Sequence, residues 1–401
     1  MFLIVFLYIN HGDYMKRIIM IIFMCFVIIF FLGINRDSVS EVAEEEERRS
    51  VFISYIEISK YFNCVSEEVA KKRVLEIIGN VKDMGCNEII LQVRSFMDAI
   101  YKSHIFPWSR YMSSEEGKDP GYDLLEMFLE YAKKDNISVI AWINPYRVRN
   151  DNNFSNVSKD SPVYGYYGTD ILYINNGIYL NPSKEETVKL IVDGIREIVK
   201  KYSVDGILFD DYFYPDNNID LDDYNDYVIK HGYIEKSSYN LNVVSDMIKK
   251  VYDVCNKYNV KFGVSPDGNI DNNYNKVFAD VKRWCSEEGY IDFIMPQIYY
   301  GFFNESRPYK ETLEEWEKIA SNKEFRVALA FYKVGSHDKW AKRGENEWIE
   351  NSDIIMREIL LARNTNNYNG FSLYRYEYLF ETDYFTDTTL TEKENIKKVI
   401  N

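Results

Sequence analysis

The chain has 401 residues and a formal net charge of −15 at pH 7, and 16% of its residues are aromatic. Because nucleic-acid binding draws most of its affinity from Lys and Arg side chains that neutralise phosphates, this charge argues against nucleic acid as a partner and leaves neutral polymers open. The length suits one α/β barrel with insertions, and the aromatic surplus either suits surfaces that stack on sugar rings or reflects codon bias.

Residues 1–36 predict a membrane-targeting segment. Lys16 and Arg17 precede an unbroken apolar run, Ile18–Ile34, and at about 1.5 Å per residue this run just reaches the lower limit for crossing a bilayer core. The basic residues place the N-terminus inside by the positive-inside rule, so the rest of the chain is expected outside the cell, as in a single-pass membrane protein. A signal peptide that is cleaved to leave a secreted protein is the alternative, although no A-x-A-like site follows.

The next boundary is predicted near residue 48. Residues 37–48 are polar and charge-rich, which indicates a short exposed tether, and residues 49–401 are assigned to one ordered domain. Translation starts at Met1 or at Met15, since the residues before Met15 look like a translated upstream stretch.

Beyond the tether, short β-branched or aromatic runs alternate with amphipathic helical patterns. The eight predicted strands begin at Val51, Glu88, Ser138, Val204, Lys261, Ile291, Arg326 and Gly370. Helices are predicted after an N-capping Ser66 and after Ser183, which forms a capping box with Glu186. Apolar strands separated by helices mean parallel pairing, and eight such units can close into a (β/α)8 TIM barrel. An open doubly wound sheet is the alternative, and the lack of G-x-G-x-x-G after the first strand weakens a dinucleotide-binding interpretation.

In a β/α barrel the active site forms at the C-terminal ends of the strands, so polar residues there are functional candidates. The fourth strand carries Asp205 at its start and Asp210 and Asp211 at its exit. About 17 Å separates Asp205 from Asp210 along an extended strand, which predicts a structural turn role for Asp205. Because Asp210 and Asp211 are adjacent, their side chains are expected on opposite faces, one able to enter the mouth while the other supports the loop.

The exits of the other strands complete the candidate site. Glycoside hydrolysis needs a proton donor on the leaving oxygen and a second group that stabilises an oxocarbenium-like centre. The candidate catalytic carboxyl groups are Asp98, Asp210 and Asp211. The candidate substrate-binding residues are Glu57, Arg94, Trp142, Asn144, Tyr146, Arg147, Tyr212, Gln297, Tyr299 and Tyr332, with Glu57 placed at the exit of the first strand. They offer rings for stacking or hydrogen bonds to sugar groups, although each alone suits core packing or a loop brace equally well.

Cysteine and histidine positions give no sign of a metal site. The five cysteines lack C-x-x-C spacing and the four histidines share no metal-like spacing. Neither a zinc site nor a disulfide scaffold is indicated, and we expect no cofactor.

Taken in order, several of these segments resemble the glycosyl-hydrolase-like family 10 of bacterial surface proteins. The matching segments are Arg49 with ISYIE, LQVRSFMDAIYKS, FPWS with DPGYD, AWINPYRV, YLNPS, VDGILFDDYFYP, FGVSP, YIDFIMPQIYY and AFYKVG, between Arg49 and about Tyr374. The fourth strand is also similar to the DG-x-D-x-D-x-E-YP pattern of chitinase-type hydrolases, but Tyr212 and Phe213 stand where the catalytic Glu is expected. The proton donor therefore stays open between Asp210, Asp211 and a residue such as Asp98. At Asp267 the family more often shows an apolar residue, so Asp267 is left out of the catalytic set.

The resemblance implies a barrel hydrolase acting on glycans, with peptidoglycan strands stripped of their stem peptides as the expected substrate. Where the substrate carries N-acetyl groups, its own amide can act as the nucleophile. The missing Glu after Asp211 motivates one alternative, a non-catalytic module that binds cell-wall glycan, and an exported hydrolase of another polysaccharide is a third possibility. All of these hypotheses require Glu57, Asp98, Asp210 and Asp211 to converge on one open cavity.

Overall fold

The computed structural model of the protein describes residues 46–400. The predicted membrane segment Ile18–Ile34 and residues 37–45 of the predicted tether lie outside the described residues. Within residues 46–400, no helix combines the length and the apolar character needed to cross a membrane.

Eight parallel strands form a closed barrel. They are β1 Arg48–Ile53, β2 Glu88–Arg94, β3 Ser138–Ile143, β4 Gly206–Phe209, β5 Lys261–Val264, β6 Phe293–Ile294, β7 Glu324–Leu329 and β8 Tyr368–Leu373. Each strand pairs with the next one along the chain, and β8 pairs with β1. The predicted barrel is therefore confirmed, and the open-sheet alternative is wrong.

The seam between β8 and β1 depends on a glycine. Gly370 lies opposite Arg48 in the parallel register, and a Cβ atom at position 370 would lie 2.0 Å from the carbonyl oxygen of Arg48. Because no heavy atom can approach that closely, any larger residue at this position would force the two strands apart.

Helices surround the barrel. The α-helices are Tyr55–Phe62, Glu67–Asp83, Arg110–Ser113, Leu124–Lys134, Glu185–Lys201, Leu221–His231, Lys236–Lys257, Ile270–Asn275, Val281–Ser286, Tyr309–Ile319, Glu347–Glu350, Ile354–Ala362, Tyr376–Phe380 and Asp387–Ile400. Short 3-10 helices are Phe154–Asn156, Tyr164–Tyr166, Phe331–Lys333, Lys342–Gly344 and Thr382–Tyr384. The buried apolar residues of the long helices Glu67–Asp83, Glu185–Lys201 and Lys236–Lys257 pack against the outer side chains of the strands, so that the outer face of the sheet is covered.

The helix starts test the predicted caps. Ser66 caps the helix Glu67–Asp83 by accepting from Val69 N, as predicted. The capping box predicted for Ser183 is wrong, because that helix begins at Glu185 and the Ser183 hydroxyl donates to Asp220 instead.

The first strand is shorter than predicted. It ends at Ile53, and Ser54 begins a capping box in which Glu57 occupies the third helical position. The prediction that Glu57 lies at a strand exit is therefore wrong. The prediction failed because Ser-x-x-Glu is itself the capping-box pattern. Ser54 follows the strand directly as the N-cap, and the helix begins at Tyr55.

Inside the barrel, the side chains are charged at the N-terminal ends of the strands and apolar from there toward the C-terminal ends. Apolar side chains that fill it are Phe52, Ile90, Ile140, Trp142, Leu208, Phe293, Met295 and Ala328. At the start of the strands, Arg326 donates to Glu88 at 3.1 Å and lies over the Phe293 ring, and Ser50 donates to the same carboxylate. The N-terminal end is therefore plugged, and the site has to open at the other end of the barrel.

An insertion after β3 extends the C-terminal face. It contains a three-stranded antiparallel sheet with the order Arg147–Arg149, Ile178–Leu180 and Leu172–Ile174. Its first strand begins four residues after β3 ends, so Arg147 stays at the mouth of the barrel while the rest of the insertion extends the rim.

Candidate active site

Two neighbouring carboxyl groups lie at the mouth, directly after β4 ends at Phe209. Asp210 is buried, and its carboxylate accepts hydrogen bonds from Trp142 Nε1 at 3.0 Å and from Asn144 Nδ2 at 3.2 Å. Asp211 accepts from Gln297 Nε2 at 3.3 Å. Donors from β3 and from the segment after β6 thus hold a pair of acids supplied by β4.

Burial changes the acidity of both groups. It raises the pKa of Asp210 to about 7, and the charge of Asp211 contributes to that rise. Burial also raises the pKa of Asp211 to about 6, with a further contribution from the charge of Asp267. Between these values the pair holds close to one proton, so it offers a proton donor and an anion at the same place.

A cation borders the pair. The charge of Arg147 lowers the pKa of both aspartates against the effect of burial. Its guanidinium lies 4.6 Å from the ring centre of Tyr212, which is 52% exposed, and 4.9 Å from that of the buried Phe96. Because the backbone N–H of Arg147 also donates to Asn144 Oδ1 at 3.2 Å, Asn144 connects Asp210 to this rim.

The opposite rim is built by residues after β5 and β6. Gln297 Nε2 donates to the carbonyl oxygen of Ser265 at 3.0 Å as well as to Asp211. Asp267 accepts from Asn272 Nδ2 at 2.9 Å and from the Tyr300 hydroxyl at 3.4 Å. Asp267, which was left out of the predicted catalytic set, thus lies close enough for its charge to raise the pKa of Asp211.

Aromatic rings form the floor beside the acids. The Tyr299 ring lies 5.8 Å from that of Tyr332 and 5.7 Å from that of Tyr374, and Phe52 lies between Tyr374 and Trp142 at 5.5 and 5.4 Å. Burial raises the pKa of Tyr299 well above its ordinary value, and the charges of Asp211 and Asp210 add to the rise. Tyr299 therefore borders the acid pair, and its hydroxyl stays protonated.

Sequence reasoning missed three residues of this site. They are Phe52, Tyr374 and Asp267. Tyr374 and Asp267 carry the signal that singled out the others, since Tyr374 directly follows β8 and Asp267 lies three residues after β5. Phe52 is an ordinary apolar strand residue in the sequence, and only the barrel geometry places it under the mouth.

Four predicted site residues lie elsewhere. Glu57 is buried and paired with Arg375 Nε at 3.0 Å, and Asp98 is buried and accepts from Ser109 Oγ at 2.8 Å. Tyr146 belongs to the outer core. Within residues 46–400, none of these has a hydrogen bond or ion pair to Asp210 or Asp211. The expectation that Glu57, Asp98, Asp210 and Asp211 converge on one open cavity is therefore wrong for Glu57 and Asp98, and the candidate acids are reduced to Asp210 and Asp211.

The fourth, Arg94, points outward because β2 is irregular. A register shift between Gln92 and Arg94 pairs Arg94 with Ile143, which faces the helices. The guanidinium then lies 3.8 Å from the ring centre of Phe106, and a Cβ atom on Gly194 would lie 2.2 Å from its Nη1. Arg94 thus packs between the barrel and the helix Glu185–Lys201.

The acid–base groups of this site are the carboxyl pair. Across residues 46–400, no group of three or more His, Cys, Asp or Glu side chains is placed to hold a metal ion. The arrangement supplies acid–base groups, a cation, amides and rings, which suit a sugar with hydroxyl or acetamido groups.

Comparison with known proteins gives one family and a set of relatives. The family described as "Glycosyl hydrolase-like 10" matches residues 47–349. The glycosyl hydrolase YngK of Bacillus subtilis is 30% identical over 344 residues, which cover 79% of this chain and 66% of YngK. The glycosyl hydrolase DigH of Escherichia coli K12 is 29% identical over 341 residues, which cover 78% of this chain and 76% of DigH. The chain thus spans about two thirds to three quarters of these relatives.

Solved structures share the fold at low sequence identity. The PgaB (BpsB) glycoside hydrolase domain from Bordetella bronchiseptica has a TM-score of 0.53 and 11% identity, and the alignment covers 89% of this chain and 99% of that domain. The catalytic domain of β-amylase from Paenibacillus polymyxa has a TM-score of 0.55 and 12% identity, with coverages of 89% and 99%. These similarities support the barrel and carry no information on the substrate.

Proposed function

Because this chain belongs to the glycosyl hydrolase-like 10 family and is a glycoside hydrolase, we propose that it cleaves an N-acetylated glycan, namely peptidoglycan strands that lack stem peptides. The observation that carries the proposal is the acid pair Asp210 and Asp211, which holds close to one proton near neutral pH beside aromatic rings. Glycosidic cleavage requires a proton donor and a second group that stabilises the developing positive charge, and a carboxyl pair with one proton offers both.

The one proton of the pair rests mainly on Asp210, whose pKa is the higher of the two. In the proposed mechanism this proton moves to Asp211, which passes it to the leaving oxygen and leaves Asp210 negatively charged. Among the side chains of the described residues, the one hydrogen-bond donor to Asp211 is Gln297, which donates to Oδ1, so no side chain holds Oδ2 and it can transfer a proton. Asp210 stays in place, because Trp142 and Asn144 bind both of its oxygens, and its negative charge stabilises the positive charge that develops on the sugar. General acid catalysis of this kind contributes about 10²–10⁴-fold to the rate.

The nucleophile is proposed to come from the substrate. Asp210 and Asp211 leave the same strand and cannot flank the sugar from opposite sides, and the seventh strand is followed by Phe331, Tyr332 and Lys333, with no carboxyl group. The acetamido oxygen of an N-acetylated sugar can attack the anomeric carbon in place of an enzyme carboxylate, while the bond to the protonated leaving oxygen breaks. Water then opens the oxazoline that has formed and returns a proton to Asp211. The requirement for an acetamido group favours N-acetylated glycans over α-glucans or xylan.

The half-exposed Tyr212 ring at the rim offers a face on which a sugar ring can stack, and Arg147 lies against it. Tyr299 and Tyr332 supply further rings inside the mouth. A planar aromatic face binds the C–H side of a pyranose, while the partly exposed Gln297 is placed for its polar groups.

The proposed location is the cell membrane, with Ile18–Ile34 as a single span and the barrel outside the cell. The hydrophobic run and the basic residues before it support this proposal. Protease treatment of intact cells tests it, because a barrel outside the membrane is degraded and one inside is protected. Release of the barrel into the medium would favour the secreted form.

A glycan panel tests the proposed function. The full-length protein is incubated with amidase-stripped peptidoglycan, chitin, xylan and starch, and the products are read by mass spectrometry. Release of short N-acetylated glycans, abolished in an Asp210→Asn, Asp211→Asn double variant, is the expected result. Binding to insoluble glycan without new reducing ends would favour the non-catalytic alternative, and cleavage of starch or xylan alone would overturn the substrate assignment.

A further inference from the structure

The insertion after β3 contains a cavity of about 560 Å³ that the mechanism does not use. The aromatic cavity is lined by Asn152, Asn153, Phe154, Tyr164, Tyr167 and Ile174, together with Ser155. Its wall thus combines three aromatic rings with two side-chain amides and a hydroxyl group. That mixture of flat apolar faces and neutral hydrogen-bonding groups matches a sugar better than a charged or purely apolar ligand.

The rings are arranged as a platform. Phe154 stacks on Tyr167 with ring centres 4.4 Å apart and lies 5.8 Å from Tyr164. Tyr164 is 40% and Tyr167 62% exposed, although large aromatic side chains usually gain about 1.5–3 kcal/mol by full burial. Their exposed faces remain available to a ligand, while Phe154 supports them from below.

The polar wall is held in shape. Asn153 Oδ1 accepts from the N–H and the hydroxyl of Ser155. Behind it, Arg149 donates to Glu116 at 2.9 Å and to the carbonyl oxygen of Asn156 at 3.1 Å. A site held in this way needs little ordering when a ligand binds.

The aromatic cavity begins a short distance along the chain from the mouth of the barrel. Asn152 is five residues after Arg147, and five residues span at most about 18 Å. Arg147 itself borders Tyr212 and affects the pKa of Asp210 and Asp211. A polymer whose scissile bond lies at the acid pair can therefore reach the aromatic cavity within a few sugar units.

We infer that the aromatic cavity is a distal subsite that binds a pyranose ring of the same glycan strand, several units from the cleaved bond. This inference rests on the proposed function for the identity of the polymer. It implies that strands long enough to reach the aromatic cavity bind more tightly than short oligosaccharides. The enzyme is therefore expected to cleave long strands in preference to short fragments.

Binding is measured with the full-length Asp210→Asn protein, so that the probe is not cleaved. The probes are stem-peptide-free glycan strands, chitohexaose and chitotriose. Adding Tyr164→Ala and Tyr167→Ala is expected to weaken binding of the long strands about tenfold or more, equivalent to about 1.4 kcal/mol, and to leave chitotriose unaffected. The matched control is Tyr233→Ala, since Tyr233 is 71% exposed and lies outside the aromatic cavity.

A second pair of variants separates the rings from the fold. Tyr164→Phe with Tyr167→Phe keeps both aromatic faces and is expected to retain the affinity for long strands. Equal affinity of the alanine pair and its parent for long strands would overturn the inference, and so would a loss that extends to chitotriose or to the phenylalanine pair. If the wild type cleaves no glycan but binding still depends on the two rings, the subsite stands and the proposed hydrolytic function fails.

Discussion

Replacing Asp210 by Asn is expected to abolish activity and to stabilise the fold above neutral pH. Burial, with the charge of Asp211 adding to it, raises the pKa of Asp210 from its ordinary value of 3.8 to about 7. A carboxyl group with a higher pKa in the folded chain than in the unfolded chain binds its proton more tightly when folded. The wild type therefore loses stability as the pH rises from about 4 to about 7, and the neutral amide of the variant avoids this loss.

The size of the effect follows from the surroundings of the carboxyl group. A pKa raised from 3.8 to about 7 corresponds to at most roughly 4 kcal/mol. The oxygen of the new amide still accepts from Trp142. Its nitrogen, however, is a donor that faces another donor, Asn144 Nδ2, and an unsatisfied buried donor costs about 1–3 kcal/mol. We expect the variant to be more stable than the wild type by about 2 kcal/mol at pH 8 and less stable by a similar amount at pH 4.

Urea unfolding of both proteins from pH 4 to pH 8 measures this difference, and a reducing-end assay measures the activity. Glu88→Gln is the control, because it removes the ion pair of the buried Arg326 with Glu88 at 3.1 Å and leaves the one with Glu324 at 3.3 Å. It is expected to destabilise the protein at pH 8 by less than the about 3–5 kcal/mol that a buried charge left without any partner costs. A difference between the wild type and Asp210→Asn that keeps the same sign and size across the pH range would refute the account of Asp210 as a carboxyl group whose charge is opposed by burial.

Asp211→Asn is expected to lower kcat on polymeric glycan by about 10²–10⁴-fold. Its kcat on an aryl glycoside, whose leaving group needs no proton, is expected to change little. Equal losses of kcat on both substrates would contradict the role of Asp211 as proton donor. Arg147→Gln is expected to raise the pKa of both aspartates further, because the cation now lowers them, and the alkaline limb of the kcat/KM profile then moves to higher pH. Gly370→Ala is expected to destabilise the barrel by more than about 3 kcal/mol, since the added Cβ would lie 2.0 Å from the carbonyl oxygen of Arg48; an unchanged Tm would rule out this account of the seam.

The barrel could be predicted from sequence because its signals are local and repeated. Each strand is a short apolar run, and each run is followed by a helical pattern, so the connectivity alone fixes parallel pairing. The family resemblance is confirmed by the match over residues 47–349. Asp210 and Asp211 were found by the rule that exits carry function, and the structure surrounds them with Trp142, Asn144 and Gln297, which the same rule selected.

The predictions for Arg94 and Glu57 failed because a local irregularity of the backbone changes the direction in which each side chain points. A register shift in β2 turns Arg94 away from the mouth, and a capping box ends β1 before Glu57. Sequence periodicity assumes an uninterrupted strand, so it cannot detect the shift. The capping box was readable as Ser54-x-x-Glu57, but the apolar residues between these positions also fit a strand.

Asp210 and Asp211 expose a conflict between folding and catalysis at this site. Burial makes ionisation costly for both acids, and the negative charge of Asp211 adds to the cost at Asp210 as that of Asp267 does at Asp211. A fold selected for stability alone would replace one of them with a neutral residue. Under the proposed mechanism the cost is useful, because a proton that ordinary aspartates lose near pH 4 is retained close to neutral pH. Since both acids leave the same strand, the pair can supply a proton and a charge on one side of the sugar only. The attack from the other side then falls to a group on the substrate, and this is the physical reason to expect that glycans without an acetamido group are not cleaved.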